Sequence, residues 1–134
     1  MYKVITNRDS RMIEVACGVM YNKEGKILIG KRRETNENHP NKWEFPGGQK
    51  EENENIQECL KREWIEELNL HIEIEKEIHQ SISDDTYSCR FFIGKIVDEE
   101  NLQKNEQDDV LFLHKTDIYD LNLFEGDSLV LDKL

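Results

Sequence analysis

The chain has 134 residues and a formal net charge of −11, from 29 acidic and 18 basic side chains. That length suits one domain spanning residues 1–134, able to bury roughly two-thirds of its unfolded surface without staples. The acidity argues against nucleic-acid polymers, which are bound mainly through Lys and Arg on phosphates, yet leaves room for a small phosphorylated molecule screened by a divalent cation.

Cys17, Cys59 and Cys89 are odd in number and widely spaced, which predicts free thiols in a reducing compartment rather than a disulfide framework or a zinc site. The N-terminal segment MYKVITNRDSRMIEVACG carries charges too early and too often for a signal peptide. No apolar run approaches the roughly 20 residues a membrane helix requires. A soluble, cytoplasmic protein with no membrane partner is expected.

In chain order, residues 13–21 (IEVACGVMY) predict a mostly buried strand. Asn22-Lys23-Glu24-Gly25 supplies a turn, and Lys26–Arg32 returns as the second strand of a hairpin. Residues 33–42 are polar, broken by Pro40, and read as a loop. Trp43-Glu44-Phe45-Pro46-Gly47-Gly48 reads as a short apolar segment ending in a turn. Residues 54–68 form the strongest helix. Ile72, Ile74, Ile78 and Ile82 fall on alternate positions and predict a strand with one wet face. Tyr87, Cys89, Phe91 and Ile93 repeat that pattern. Residues 98–109 form an acidic loop, Val110–Leu113 a short strand, and residues 127–134 a terminal helix capped by Asp127 or Ser128. Strands around one central helix indicate a mixed α/β domain.

The chemistry is concentrated on the central helix. With Ile56 as reference and about 100° per residue, Leu60, Cys59 and Trp64 mark an apolar stripe, and Glu63, Glu66 and Glu67 fall near 340°, 280° and 20°, along the same direction. Three acids therefore extend the buried stripe by one turn. Either the helix end emerges into solvent, or the acids converge on a cation, since buried unpaired carboxylates change protonation state or find positive charge. Oxygen ligands so grouped suit Mg2+ or Mn2+ rather than zinc. Glu58 and Arg62, four apart, predict a surface ion pair, and Asn69 a helix C-cap.

Residues 48–70, GQKEENENIQECLKREWIEELNL, resemble the Nudix box, G-x5-E-x7-R-E-U-x-E-E-x-G-U, in which U is a bulky aliphatic residue. Gly48, Glu54, Arg62, Glu63, Glu66, Glu67 and Leu70 fall on the pattern. Trp64 stands at an aliphatic position, and Asn69 replaces the last glycine. NKWEFPGG before the box, the ILIGKR strand, and Glu106-Gln107-Asp108-Asp109-Val110 after it resemble the MutT-like branch of the same family. The resemblance implies an α/β/α sandwich with a mixed sheet and a loop–helix–loop catalytic box.

It also implies the roles of individual residues. Glu63, Glu66 and Glu67 match metal ligands, and the Gly47 carbonyl matches a backbone ligand. Arg62 and Glu54 match a pair that orients the site. Arg32 matches a phosphate-binding arginine, with Arg33 as the alternative. Glu106 matches a loop acid that binds metal or acts as base, with Asp108 and Asp109 as alternatives beside it. Phe45 is a candidate for contact with the base.

The implied activity is metal-dependent cleavage of the pyrophosphate bond in a small nucleotide, foremost a (deoxy)nucleoside triphosphate giving monophosphate and pyrophosphate. An ADP-ribose, dinucleotide or RNA-cap hydrolase and a non-catalytic nucleotide sensor are the alternatives. Asp127 matches the start of a terminal helix that reaches the base. As a carboxylate it only accepts hydrogen bonds and would favour base edges rich in N–H donors; the alternative role is an N-cap. His39, His71, His79 and His114 lack metal-type spacing and read as surface or packing residues. Base, sugar and oligomeric state are left open.

Overall fold

The computed structural model describes residues 12–33, 41–83 and 85–134, apart from the side chain of Glu125. The N-terminal segment 1–11 and most of the predicted 33–42 loop, with His39 and Pro40, lie outside the described residues.

Among the described residues, seven strands form one mixed sheet: β1 (Ile13–Tyr21), β2 (Ile27–Lys31), β3 (Trp43–Glu44), β4 (Gly47–Gln49), β5 (Ile72–Ser83), β6 (Tyr87–Ile96) and β7 (Asp109–Leu113). The main path runs β3-β2-β1-β6-β5, with β4 on β1 and β7 on β2. β1 and β6 are parallel, Ile13 opposite Tyr87 through Tyr21 opposite Lys95, and the other pairings are antiparallel. The β1–β2 turn is the predicted one. Asn22 Oδ1 accepts the N–H groups of Glu24 and Lys26, and Gly25 takes a φ of 77° that glycine adopts without strain.

Both faces of the sheet are covered, which explains why β1 reads as a mostly buried apolar run. Ala16, Met20, Leu28 and Phe92 point to one side, where helix α1 (Ile56–Leu68) supplies Ile56, Cys59, Leu60, Trp64 and Leu68. Cys17, Val19, Ile27, Ile29 and Phe91 point to the other. That face is closed by Ile118 of the short helix α2 (Lys115–Ile118) and by Val130 and Leu131 of α3 (Glu125–Leu131). The result is the expected α/β/α sandwich with a mixed sheet.

Several expectations change. Gly47 and Gly48 form strand β4, antiparallel to β1, rather than a turn. A Cβ at Gly47 would lie 1.7 Å from the Ala16 carbonyl oxygen, so only glycine permits this pairing. α1 begins at Ile56, not at residue 54, because Asn55 is its N-cap and Glu58 closes a capping box with it. Glu58 is thereby taken from the predicted pair with Arg62. Two register shifts break β5, between Ile74 and Lys76 and between Glu77 and His79. Ile74 consequently packs with the α1-side core and Ile78 with the opposite one. The single wet face predicted for that strand does not exist. α3 starts two residues before Asp127, with Phe124 at its N-cap, so neither Asp127 nor Ser128 is the cap. Among the described residues, no helix is long and apolar enough to cross a membrane.

Candidate active site

The site is built where the last turns of α1 meet β4 and the loop before β7. Asn69, in the left-handed region at φ 57°, ends α1 and returns its N–H to Ile65 O, as predicted for a C-cap. The loop then docks on the helix end. Gln103 N donates to Leu68 O, Asn105 N to Glu67 O, and Asn105 Nδ2 to Glu66 O. Three carbonyls that a helix C-terminus leaves without intrahelical partners are thus satisfied by the loop that carries Glu106.

Among the described residues, carboxylate oxygens of Glu63, Glu67 and Glu106 all lie within 4.8 Å of one another. These three share a cleft of about 230 Å³ with Arg32, Arg33, Glu44, Gly47 and Gln107. Glu67 is 5% exposed, its Oε1 accepts from Gln107 Nε2 at 2.5 Å, and its Oε2 is buried without a partner. Burial, then the neighbouring Glu63 carboxylate, push the Glu67 carboxyl up to about 9. Burial likewise raises Glu63, against the pull of Arg62. An orphaned buried acceptor beside two further carboxylates fits a bound cation, and an all-oxygen donor set fits a hard one.

A Cβ at Gly48 would lie 2.3 Å from the Glu63 carboxyl carbon, so a side chain there would push that carboxylate from its place beside Arg62. Trp64 is accommodated in a related way. Its indole N–H donates to Pro46 O at 2.9 Å, and Gly18 makes room for the ring, since a Cβ there would lie 2.8 Å from Nε1. The aromatic departure from the box pattern is therefore matched by a glycine on β1.

Arg62 bonds to three of the acids. Its Nε donates to Glu54 at 2.7 Å, Nη1 to Glu63 at 2.9 Å and to Glu66 at 2.8 Å, and Nη2 to Gln49 O at 3.1 Å. The hydrogen bond to Arg62 holds the Glu54 carboxyl below its ordinary range. Glu66 is therefore not in the carboxylate cluster. Its side chain is half exposed and engaged by Arg62. Of the three loop acids considered, Glu106 completes the cluster rather than Asp108 or Asp109.

Both arginine candidates line the cleft. Arg32 pairs with Glu44 at 2.9 Å and lies 5.2 Å from the Phe124 ring centroid, with its Nε buried and unpartnered. Arg33 donates to Asn105 O at 2.5 Å. Phe45 does not offer its side chain. The ring is 1% exposed and stands edge-on to Phe91. Its backbone N–H instead donates to Asp127 Oδ2 at 2.7 Å. The segment after α2 brings these together, with Trp43 N bonded to Asn122 O and Phe124 N to Trp43 O. Asp127 is 6% exposed, and burial raises its carboxyl well above the usual range. His71 is an exposed surface residue bonded to Asp98, and His79 packs against Phe91.

Sequence reasoning missed Gln107, Asn105 and Glu44. For Gln107 the available signal was adjacency to Glu106, which does not separate it from Asn105 on the other side.

The NUDIX domain family matches residues 11–132. The 8-oxo-dGTP diphosphatase of Proteus vulgaris is 33% identical over 64 residues, 48% of this chain and 56% of that protein. The one from Haemophilus influenzae is 36% identical over 62 residues, 46% and 45% of the two chains. The chain thus spans about half the length of the curated relatives it matches. The solution structure of the E. coli ORF135 protein superposes with a TM-score of 0.74 at 25% identity, covering 92% of this chain and 88% of that one. With the family matched over nearly its whole length, the chain belongs to the NUDIX domain family.

Proposed function

We propose that the protein is a metal-dependent pyrophosphohydrolase that cleaves a (deoxy)nucleoside triphosphate to a monophosphate and pyrophosphate. One observation carries this reading: Glu63, Glu67 and Glu106 converge within 4.8 Å in the same cleft as Arg32 and Arg33. Acids alone would repel a polyphosphate, and arginines alone would not activate water. The similarity to two 8-oxo-dGTP diphosphatases makes an oxidised purine triphosphate the first substrate to test.

Glu63, Glu67 and Glu106 would hold Mg2+ or Mn2+, with the Gly47 carbonyl as a backbone donor. Such a cation supplies charge neutralisation at the phosphate oxygens and acidifies water. The remaining work falls to the chain. Arg62 fixes Glu63 through its Nη1 while Glu54 fixes Arg62. Arg32 and Arg33 bind the phosphates, and Arg32 has a buried donor to spare at Nε. Water oxygen attacks phosphorus, the bond to the departing pyrophosphate oxygen breaks, and a carboxylate of the cluster takes the proton. Glu66, half exposed and engaged by Arg62, would be a further ligand. Asp127, whose Oδ2 already accepts from the Phe45 N–H, would meet the base through its other carboxyl oxygen. The three free thiols fit a cytoplasmic protein.

The test is a hydrolysis panel of triphosphates including 8-oxo-dGTP, with ADP-ribose and dinucleotides as the competing substrates, in Mg2+, in Mn2+ and in excess EDTA. Turnover of triphosphates that EDTA abolishes is expected. Full activity in EDTA refutes the mechanism, and a preference for ADP-ribose or a dinucleotide refutes the substrate class.

A further inference from the structure

Among the described residues, two buried acceptors at the centre of the site have no donor. One is Glu67 Oε2, and the other is the side-chain carbonyl Oε1 of Gln107. Their partner atoms are joined, because Gln107 Nε2 donates to Glu67 Oε1. Gln107 is 6% exposed and lines the same cleft. Its stem is closely fitted. A Cβ on Gly30 would lie 2.9 Å from Gln107 Cγ, and the next residue is pinned by Asp108 N to Lys31 O at 3.0 Å. On the other side of Glu106, Asn105 is fixed to Glu66 O and Glu67 O.

We infer that Gln107 is a positioning residue: it tethers one oxygen of Glu67 and so leaves the other, Oε2, aimed at the cation. This rests on the proposed function. The chemistry favours an amide here. A carboxylate at the end of a flexible side chain rotates freely unless one oxygen is held. A Lys or Arg tether would hold it but would cancel the charge the cation needs. A second carboxylate would repel it. A neutral N–H donor orients the ligand and leaves its charge intact, as outer partners of metal-binding carboxylates do. The rigid attachments of residues 105 and 108 keep the amide from following Glu67 if the carboxylate swings.

Gln107→Met tests this, since it keeps length and volume and removes the donor. Mn2+ alone is titrated calorimetrically into wild type and variant, and both are melted in EDTA. The Mn2+ Kd is expected to rise about tenfold or more. kcat is expected to fall at subsaturating metal, with KM for the nucleotide within about twofold. The melting temperature in EDTA should not fall, because methionine fills the same space. An unchanged Mn2+ Kd in Gln107→Met overturns the assignment. If that variant does not fold, the Gln107 side-chain amide signals of 15N-labelled wild type decide. They should move during a Mg2+ titration in step with the Glu67 backbone, and static signals overturn the assignment. A wild type that neither binds Mn2+ nor cleaves a nucleotide sinks the underlying reading. A normal wild type with an unaffected variant sinks the role of Gln107 alone.

Discussion

Glu67→Gln should make the metal-free protein more stable at pH 8 while destroying its activity. The Glu67 carboxyl is pushed from an ordinary 4.5 up to about 9 by burial and by Glu63. Between those values the folded chain binds a proton that the unfolded chain has released. Stability therefore falls as pH rises through this window. From pH 5 to pH 8 the single-site limit is about 4 kcal/mol, at about 1.4 kcal/mol per unit. For a domain of this size that corresponds to a fall in Tm on the order of 10 °C. Glutamine is neutral throughout and nearly isosteric, so the variant should lose most of this slope and melt roughly 5–10 °C above wild type at pH 8. Thermal melts in EDTA at constant ionic strength, from pH 5 to pH 8.5, measure it. Mg2+ at a hundred times its Kd should offset most or all of that gap, since it adds about 3 kcal/mol to wild type and little to the variant. Parallel pH slopes for the two proteins, or a lower Tm for Glu67→Gln at pH 8, would refute the idea that Glu67 is a strained ligand waiting for a cation.

Glu106→Gln should lower kcat at least a hundredfold and barely move Tm, because Glu106 is exposed and reaches the cluster from a loop; a silent Glu106→Gln beside an impaired Asp108→Asn would identify the wrong acid. Gly48→Ala places a methyl on the Glu63 carboxylate and should weaken Mn2+ binding in calorimetry by tenfold or more, an effect that equal affinities would exclude. Asp127→Asn keeps an acceptor for the Phe45 N–H, so Tm should stay level or rise. The same variant should shift the kcat/KM ratio between donor-rich and carbonyl-rich bases about tenfold, and unchanged ratios across the panel would remove Asp127 from base recognition.

The spacing of the helix acids was legible in the sequence because a helix converts position into direction, whereas Gly48 and the acidic loop were legible only through the resemblance to the Nudix box and its MutT-like branch. Glu63 and Glu67 lie four apart and had to share a face. The same arithmetic put Glu66 nearby but could not know that Arg62 would hold it. That outcome depends on which oxygen of Glu54, Glu63 or Gln49 lies within reach of each guanidinium nitrogen. Periodicity likewise found β5 but not its faces, since a bulge leaves no mark on the alternation of isoleucines while reversing every side chain beyond it. Asp127 looked like a cap because capping is a local rule. Its actual partner, the Phe45 N–H, is 82 residues away in the chain. Gln107 was invisible for the same reason. Local chemistry and helical geometry determined which acids could converge. Only the tertiary structure decided which of them do, because burial, and the partner each buried atom finds, are properties of segments brought together from distant parts of the chain.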